Sequence, residues 1–300
     1  MLSKAATNEE KGAVLCQLFF PLKPAEAATP EGSHYPPHVK YKFNLSEDQL
    51  RHRLARLQPY KAPGEDGIPN IVLKEAAKRL IPYLLRIFQA MFDLGTYSDR
   101  WCSWDTIVLR KPGKPKYDMP KAYWPIALMN TIGKLLSTIV VEDMAFMCEK
   151  HQLLPDTHFG GLSGRSTSDA MHYLVNKIKS TWRRHKVAAV LFLDIEGAFL
   201  NAVTDRLLHN LRSRRIPEPY VMFILCMLTD RHTRLKFDGF TSEWMAVDNG
   251  IVQGDPLSML LYLFYNADLV ASPNPGEAKL ACVDDASYFA EGKIFDEVYS

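Results

Sequence analysis

Three hundred residues, 47% of them hydrophobic, suffice for one large domain or two lobes with a substantial core. A net charge of only +2 does not by itself announce a nucleic-acid binder. The cysteines, Cys16, Cys102, Cys148, Cys226 and Cys282, are scattered without a CxxC pair. That pattern argues against a cysteine zinc centre and a disulfide framework, and it points to a reducing intracellular compartment, nucleus or cytoplasm, not to secretion.

Residues 1–59 read as an irregular N-terminal extension with one short helix. Prolines such as Pro21, Pro24, Pro36 and Pro37 interrupt residues 1–45, while Ser46-Glu47-Asp48-Gln49 fits a capping box ahead of a helix that stops near Pro59. The apolar patch Ala13 to Phe20 is too short to span a bilayer, and no membrane contact is expected.

Tyr60 to Asn70 is a dense string of turn formers, which either connects or brings backbone amides to a ligand. Helical periodicity follows from Ile71 to Leu94, with a stop at Gly95. Trp101 to Leu109 and Tyr123 to Leu128 read as extended segments around the basic turn Arg110 to Lys116. Such a hairpin can fold over a triphosphate, with Lys111 and Lys114 as candidates; solvated surface charge is the competing reading.

A helix is expected over Thr131 to Gln152, then the glycine-rich loop Phe159 to Thr167, whose last residues cap a helix over Asp169 to Arg183. Arg165 and the loop amides could hold a phosphate backbone, although many such loops only turn the chain.

Val187 to Leu193 is an unbroken apolar run, read as a strand covered on both faces that carries Asp194 to the rim of a sheet. Helices about Val203 to Leu211 and Pro217 to Leu228 follow, then a hairpin of Thr233 to Phe237 with Trp244 to Val247. Asn249 to Ser258 opens an apolar helix over Met259 to Val270, which places Gln253 and Gly254 just before a helix N-terminus. A second hairpin, Leu280 to Phe289, is expected to carry Asp284 and Asp285 at its tip. Three acids costly to bury alone become sensible if a divalent cation neutralises them, and Mg2+ with a phosphate substrate is the natural candidate.

LFLDIEGAF, NGIVQGDPLS and CVDD, preceded in order by KAPGEDGIPN, RKPGK, YWPIALMN and HFGGLSGRSTSDA, resemble the reverse transcriptase domain of non-LTR (LINE-like) retrotransposons over about residues 60–290. The resemblance implies an α+β fold, the fingers and palm of a right-hand polymerase with an antiparallel palm sheet packed on helices. Residues 60–185 would form a fingers-like subdomain. Residues 186–300 would form the palm, with fingers helices and a hairpin inserted at about 202–250. The implied activity is RNA-directed DNA polymerisation by a two-metal-ion mechanism, with two Mg2+ ions, or Mn2+ in their place.

By the same likeness Asp194, Asp284 and Asp285 are the catalytic metal ligands. Phe199, five residues after Asp194, would crowd a ribose 2′-hydroxyl, and Gln253 and Gly254 would line the pocket for the incoming nucleotide. Lys111 joins these as a dNTP contact, with Lys114 and Arg165 as nucleic-acid contacts. The implied partners are an RNA template, a DNA primer and dNTP.

Several positions depart from the family pattern. Trp124 stands where an arginine usually clamps the triphosphate, Cys282 replaces an aromatic residue, and His158 replaces a glutamine. Val252, Asp255 and Met259 replace Pro, Ser and Pro around the QG turn, and Asp255 is expected to add negative charge near the phosphates. Too few residues follow Asp285 for a thumb, and no endonuclease domain precedes residue 60, so these are expected from a longer polyprotein. Impaired activity is the corresponding expectation. The alternatives are a catalytically inactive remnant that only binds nucleic acid and, further off, a phosphatase-like enzyme built on a strand ending in aspartate.

Overall fold

Local signals in the chain set most of the element boundaries. The computed structural model describes residues 7–24, 29, 32–271 and 274–299; expectations for residues 1–6, 25–28, 30 and 31 lie outside the described residues. Within the stretch read as irregular, Asn8–Phe19 forms helix α1, capped by Thr7, with Leu15 and Phe19 buried against Val108 and Leu235. Helix α2 (Glu47–Arg56) starts at Ser46 through a reciprocal capping box with Gln49.

The long periodic stretch after the turn-rich loop is two helices, α3 (Asn70–Glu75) and α4 (Ala77–Leu94), and α4 ends at Gly95 in the left-handed conformation. Strands β1 (Ser103–Arg110) and β2 (Tyr123–Leu128) pair antiparallel around the basic turn. Helix α5 (Thr131–His151), the short strand β3 (His158–Phe159) and helix α6 (Thr167–Arg183) follow, and α6 has its own capping box from Ser166 and Asp169.

Strand β4 (Val187–Leu193), helices α7 (Thr204–Ser213) and α8 (Glu218–Met227), and strands β5 (Arg231–Phe237), β6 (Phe240–Thr241) and β7 (Met245–Val247) come next. Helix α9 (Ser258–Asn266), the hairpin strands β8 (Glu277–Cys282) and β9 (Asp285–Gly292), and the short helix α10 (Asp296–Tyr299) complete the described α-helices and strands.

The chain divides into two compact units. One holds residues 1–143 and 199–258, the other residues 144–198 and 259–300. The first contains a mixed sheet in the order β2-β1-β5-β6, with β7 also on β5 and β1 parallel to β5. Its helical side is an aromatic cluster in which Phe92 lies between Phe43 and Phe223, with ring centroids 3.9 and 4.8 Å away.

The second unit contains a sheet in the order β3-β8-β9-β4, antiparallel except for the short β3·β8 pair. Phe159, Leu174, Leu280 and Phe289 form its core beneath α6, joined by Ala188 and Val190 of β4. Strand β4 is not covered on both faces as its apolar run suggested. It is an edge strand, and Leu191, Phe192 and Leu193 are 56%, 66% and 39% exposed. The core cluster takes side chains only from its first half, so the run of hydrophobics outlasts the layer that covers it.

Candidate active site

Asp194 directly follows β4, whose last residue pairs with the second residue of β9, Leu193 with Ala286. Continuing that antiparallel register by one step sets Asp194 across from Asp285. The β8–β9 hairpin closes with Cys282 opposite Asp285, so the two-residue tip is Val283-Asp284 and Asp285 already belongs to the strand. Asp194 and Asp285 are exposed and Asp284 half-buried.

Partial burial, reinforced by the charges of Asp285 and Asp194, holds the Asp284 carboxyl above the usual carboxylate range. The rim therefore brings carboxylates close enough for their charges to repel. A set of hard carboxylate oxygens suits Mg2+, although among the described residues no three such side chains stand as a ready three-ligand group.

Two neighbours that sequence reasoning did not assign a role hold the hairpin tip. Val283 has φ +59°, a costly conformation for a β-branched residue. Its carbonyl accepts from Asn266 Nδ2 at 2.7 Å, and its amide donates to the Phe159 carbonyl at 3.1 Å. Asn266 Oδ1 in turn meets His158 Nε2 at 2.7 Å, and both side chains are buried. The only sequence signal here was His158 standing where glutamine is usual.

Gly160 lies against the same turn. A Cβ there would come within 2.7 Å of Val283 Cγ2, and its φ of +75° also favours glycine. The glycine-rich loop thus supports the acid turn. Arg165, expected to reach a phosphate backbone, donates instead to the carbonyls of Pro155 and His158 and pairs with Asp156 at 3.2 Å.

In the other unit, the Ala127 amide of β2 donates to the Gln253 carbonyl at 2.9 Å. Gly254 follows with φ +117°, and a Cβ on it would stand 2.8 Å from the Ala127 oxygen, so only glycine lets the turn lie this close to β2. Phe199 joins the same turn through its carbonyl, which accepts from the Ile251 amide at 2.7 Å. The structure therefore ties Phe199 and Gln253 into one hydrogen-bonded assembly, with Gly254 packed closely against β2.

Lys111 extends over the face of Trp124, its ammonium 5.9 Å from the ring centroid, so this cation stands beside the indole at the position where arginine is usual. Lys114 is exposed in the turn between β1 and β2. Asp255, expected from sequence to add negative charge near the phosphates, is turned into the interior. It is only 6% exposed, accepting from Ser137 Oγ at 2.8 Å and the Leu257 amide at 2.7 Å. Burial pushes its carboxyl up to about 6.

The turn-rich loop from Tyr60 to Asn70 is tied to the start of α5. Thr131 Oγ1 donates to the Ile68 carbonyl at 2.7 Å, and the Asn130 amide group donates to Asp66. Its geometry is that of a docked connector. No helix among the described residues is long and apolar enough to cross a membrane.

Comparison with known proteins agrees with the motif order. Residues 109–293 match the family described as "Reverse transcriptase (RNA-dependent DNA polymerase)". The chain is 30% identical over 241 residues to the probable RNA-directed DNA polymerase from transposon X-element of Drosophila melanogaster, covering 77% of this chain and 26% of the relative. It is 29% identical over 209 residues to the corresponding protein from transposon BS of the same organism, covering 70% and 23%. It is also 25% identical over 222 residues to that from mobile element jockey of Drosophila melanogaster, covering 74% and 24%. The chain spans about a quarter of the length of these relatives. With its acids gathered at one sheet rim and more than half its length matched, the chain belongs to the reverse transcriptase family of non-LTR retrotransposons.

Proposed function

We propose that this chain carries the polymerising part of a retroelement reverse transcriptase, adding deoxynucleotides to a DNA primer on an RNA template. The observation that carries this reading is the register that sets Asp194 beside the Val283-Asp284-Asp285 turn at one rim of a sheet. On this reading the fold is the fingers and palm of a right-hand polymerase, residues 60–185 and 186–300, with fingers helices and a hairpin inserted into the palm at about 202–250.

Asp194, Asp284 and Asp285 would hold two Mg2+ ions. When bound, these ions supply activation of the attacking 3′-oxygen and stabilisation of the leaving oxygen. The protein's own residues do the rest. Lys111 and Lys114 offset triphosphate charge, Gln253 and Gly254 shape the pocket for the nucleotide, and Phe199 crowds a 2′-hydroxyl. Arg165 shapes the loop beneath the acid turn and reaches nucleic acid only through that loop.

The test is extension of a DNA primer on an RNA template by the purified chain with Mg2+ or Mn2+, beside the Asp284→Asn variant. Metal-dependent extension abolished by the substitution supports the proposal. RNA binding without extension in the unsubstituted chain would assign a non-catalytic binder instead.

A further inference from the structure

Arg231, the first residue of β5, is 1% exposed and donates through Nη1 to the Gly250 carbonyl at 2.8 Å. Its Nε and Nη2 have no hydrogen-bond partner among the described residues, and neither has Oδ1 of the buried Asn249. Nε and Nη2 form one edge of the planar guanidinium, a two-donor fork. Burial lowers the Arg231 pKa to about 10, which leaves it cationic at neutral pH. A buried charged edge with unmade hydrogen bonds is expensive.

Arg231 and Asn249 line the same cavity, of about 20 Å3, together with Phe20, Trp104, Thr106 and Gln253. About 10–15 Å3 is enough for one water, provided it finds two to four polar partners. The orphaned atoms are two donors and one acceptor. Water can accept from the guanidinium edge and donate to the amide oxygen; a halide could take the two donors but would then face Asn249 Oδ1.

The surrounding backbone shows what such a water would fix. The Gly250 amide donates to the Ala202 carbonyl at 3.0 Å, Ile251 to Phe199 at 2.7 Å, and Ala127 to Gln253 at 2.9 Å. Asn249 Nδ2 reaches the Leu200 carbonyl at 3.4 Å. Residues 249–253 thus link the Phe199–Ala202 segment to β2, and Arg231 grips the middle of that link.

We propose that one buried water, held by the Nε/Nη2 edge of Arg231 and by Asn249 Oδ1, completes a positioning unit that fixes Phe199 and Gln253 relative to each other. The nucleotide-facing role of those two residues rests on the function proposed above; the hydrated guanidinium does not. Arg231 is a positioning residue, acting on nucleotide through the turn it holds.

The test combines a crystal structure, hydrogen exchange and kinetics on the full chain and its Arg231→Met and Arg231→Lys variants. Water density is expected within hydrogen-bonding distance of the guanidinium edge and Asn249 Oδ1. In Arg231→Met, exchange across residues 249–253 is expected to speed about tenfold or more while exchange in α4 is unchanged. Arg231→Lys is the variant to read should the methionine variant not fold, with an intermediate effect expected.

In primer extension, the KM for dNTP is expected to rise about fivefold or more and discrimination against ribonucleotides to weaken, with a smaller change in kcat. A merely structural arginine would lower the melting temperature and leave KM and discrimination untouched. An anomalous peak at the edge in bromide-soaked crystals, an edge with no ordered water, or unchanged exchange over residues 249–253 would overturn the proposal. If the unsubstituted chain does not polymerise, the density and exchange results still decide the positioning unit, and only the function proposed above fails.

Discussion

The side-chain amide of Asn266, at the last residue of α9, donates to the Val283 carbonyl at 2.7 Å and so ties a helix end to the turn that presents Asp284. His158 Nε2 meets the same side chain from β3, so a single asparagine joins three elements. Asn266→Leu removes the donor and strands a partly buried carbonyl, which is expected to cost about 1–3 kcal/mol. Urea unfolding measures the loss. Primer extension is expected to fall further than stability accounts for, because the acid turn is no longer held.

Val283 adopts φ +59° at the hairpin tip, a conformation whose strain for a β-branched residue is on the order of 1–3 kcal/mol. Asparagine tolerates this region far better. Val283→Asn is therefore expected to raise the unfolding midpoint in urea, by about 1 kcal/mol of stability, with an unchanged m value. A lower midpoint would mean that contact of the valine side chain with the Gly160 loop outweighs the relieved strain.

Gly254→Ala would set a methyl group 2.8 Å from the Ala127 carbonyl oxygen at a backbone φ of +117°. The turn has to move away from β2, at an expected cost of more than about 1 kcal/mol. Thermal unfolding reads that cost. The Michaelis constant for dNTP is expected to rise more than kcat falls, since the displaced segment carries Gln253.

The buried Asp255 carboxyl gives stability a defined pH dependence. Its folded pKa, raised by burial to about 6 from 3.8, means that the folded state binds the proton more tightly than the unfolded chain does. Stability is expected to fall as pH rises from about 4 through 6, by on the order of 3 kcal/mol from this group. Asp255→Asn keeps partners for Ser137 and the Leu257 amide while removing the charge. It is expected to flatten the profile over that window and to be the more stable protein at neutral pH, as chemical denaturation across a pH series would show.

Features set by neighbouring residues were legible in the chain. The capping box at Ser46, a cap at the end of the glycine-rich loop, the stop at Gly95 and the paired strands flanking the basic turn follow from local chemistry, as does the hairpin presenting Asp284. What depended on distant parts of the chain was not. Periodicity could not tell a strand covered on both faces from the half-open edge strand β4, because both read as a run of hydrophobics. Helix α1, just ahead of the proline-rich stretch, was missed because its burial depends on Val108 and Leu235, far along the chain. Asp255 was expected to add charge near the phosphates, since nothing in its own segment announces Ser137, 118 positions away, as its partner.

Strand β4 has a further consequence for handling the protein. Its outer backbone edge pairs with no other strand among the described residues, and Leu191, Phe192 and Leu193 project beside it largely uncovered. A greasy, unguarded edge of this kind templates the addition of strands from other molecules. The purified chain is therefore expected to clump through this ribbon, and a lysine gatekeeper at Phe192 to keep it dispersed without touching an acid of the rim.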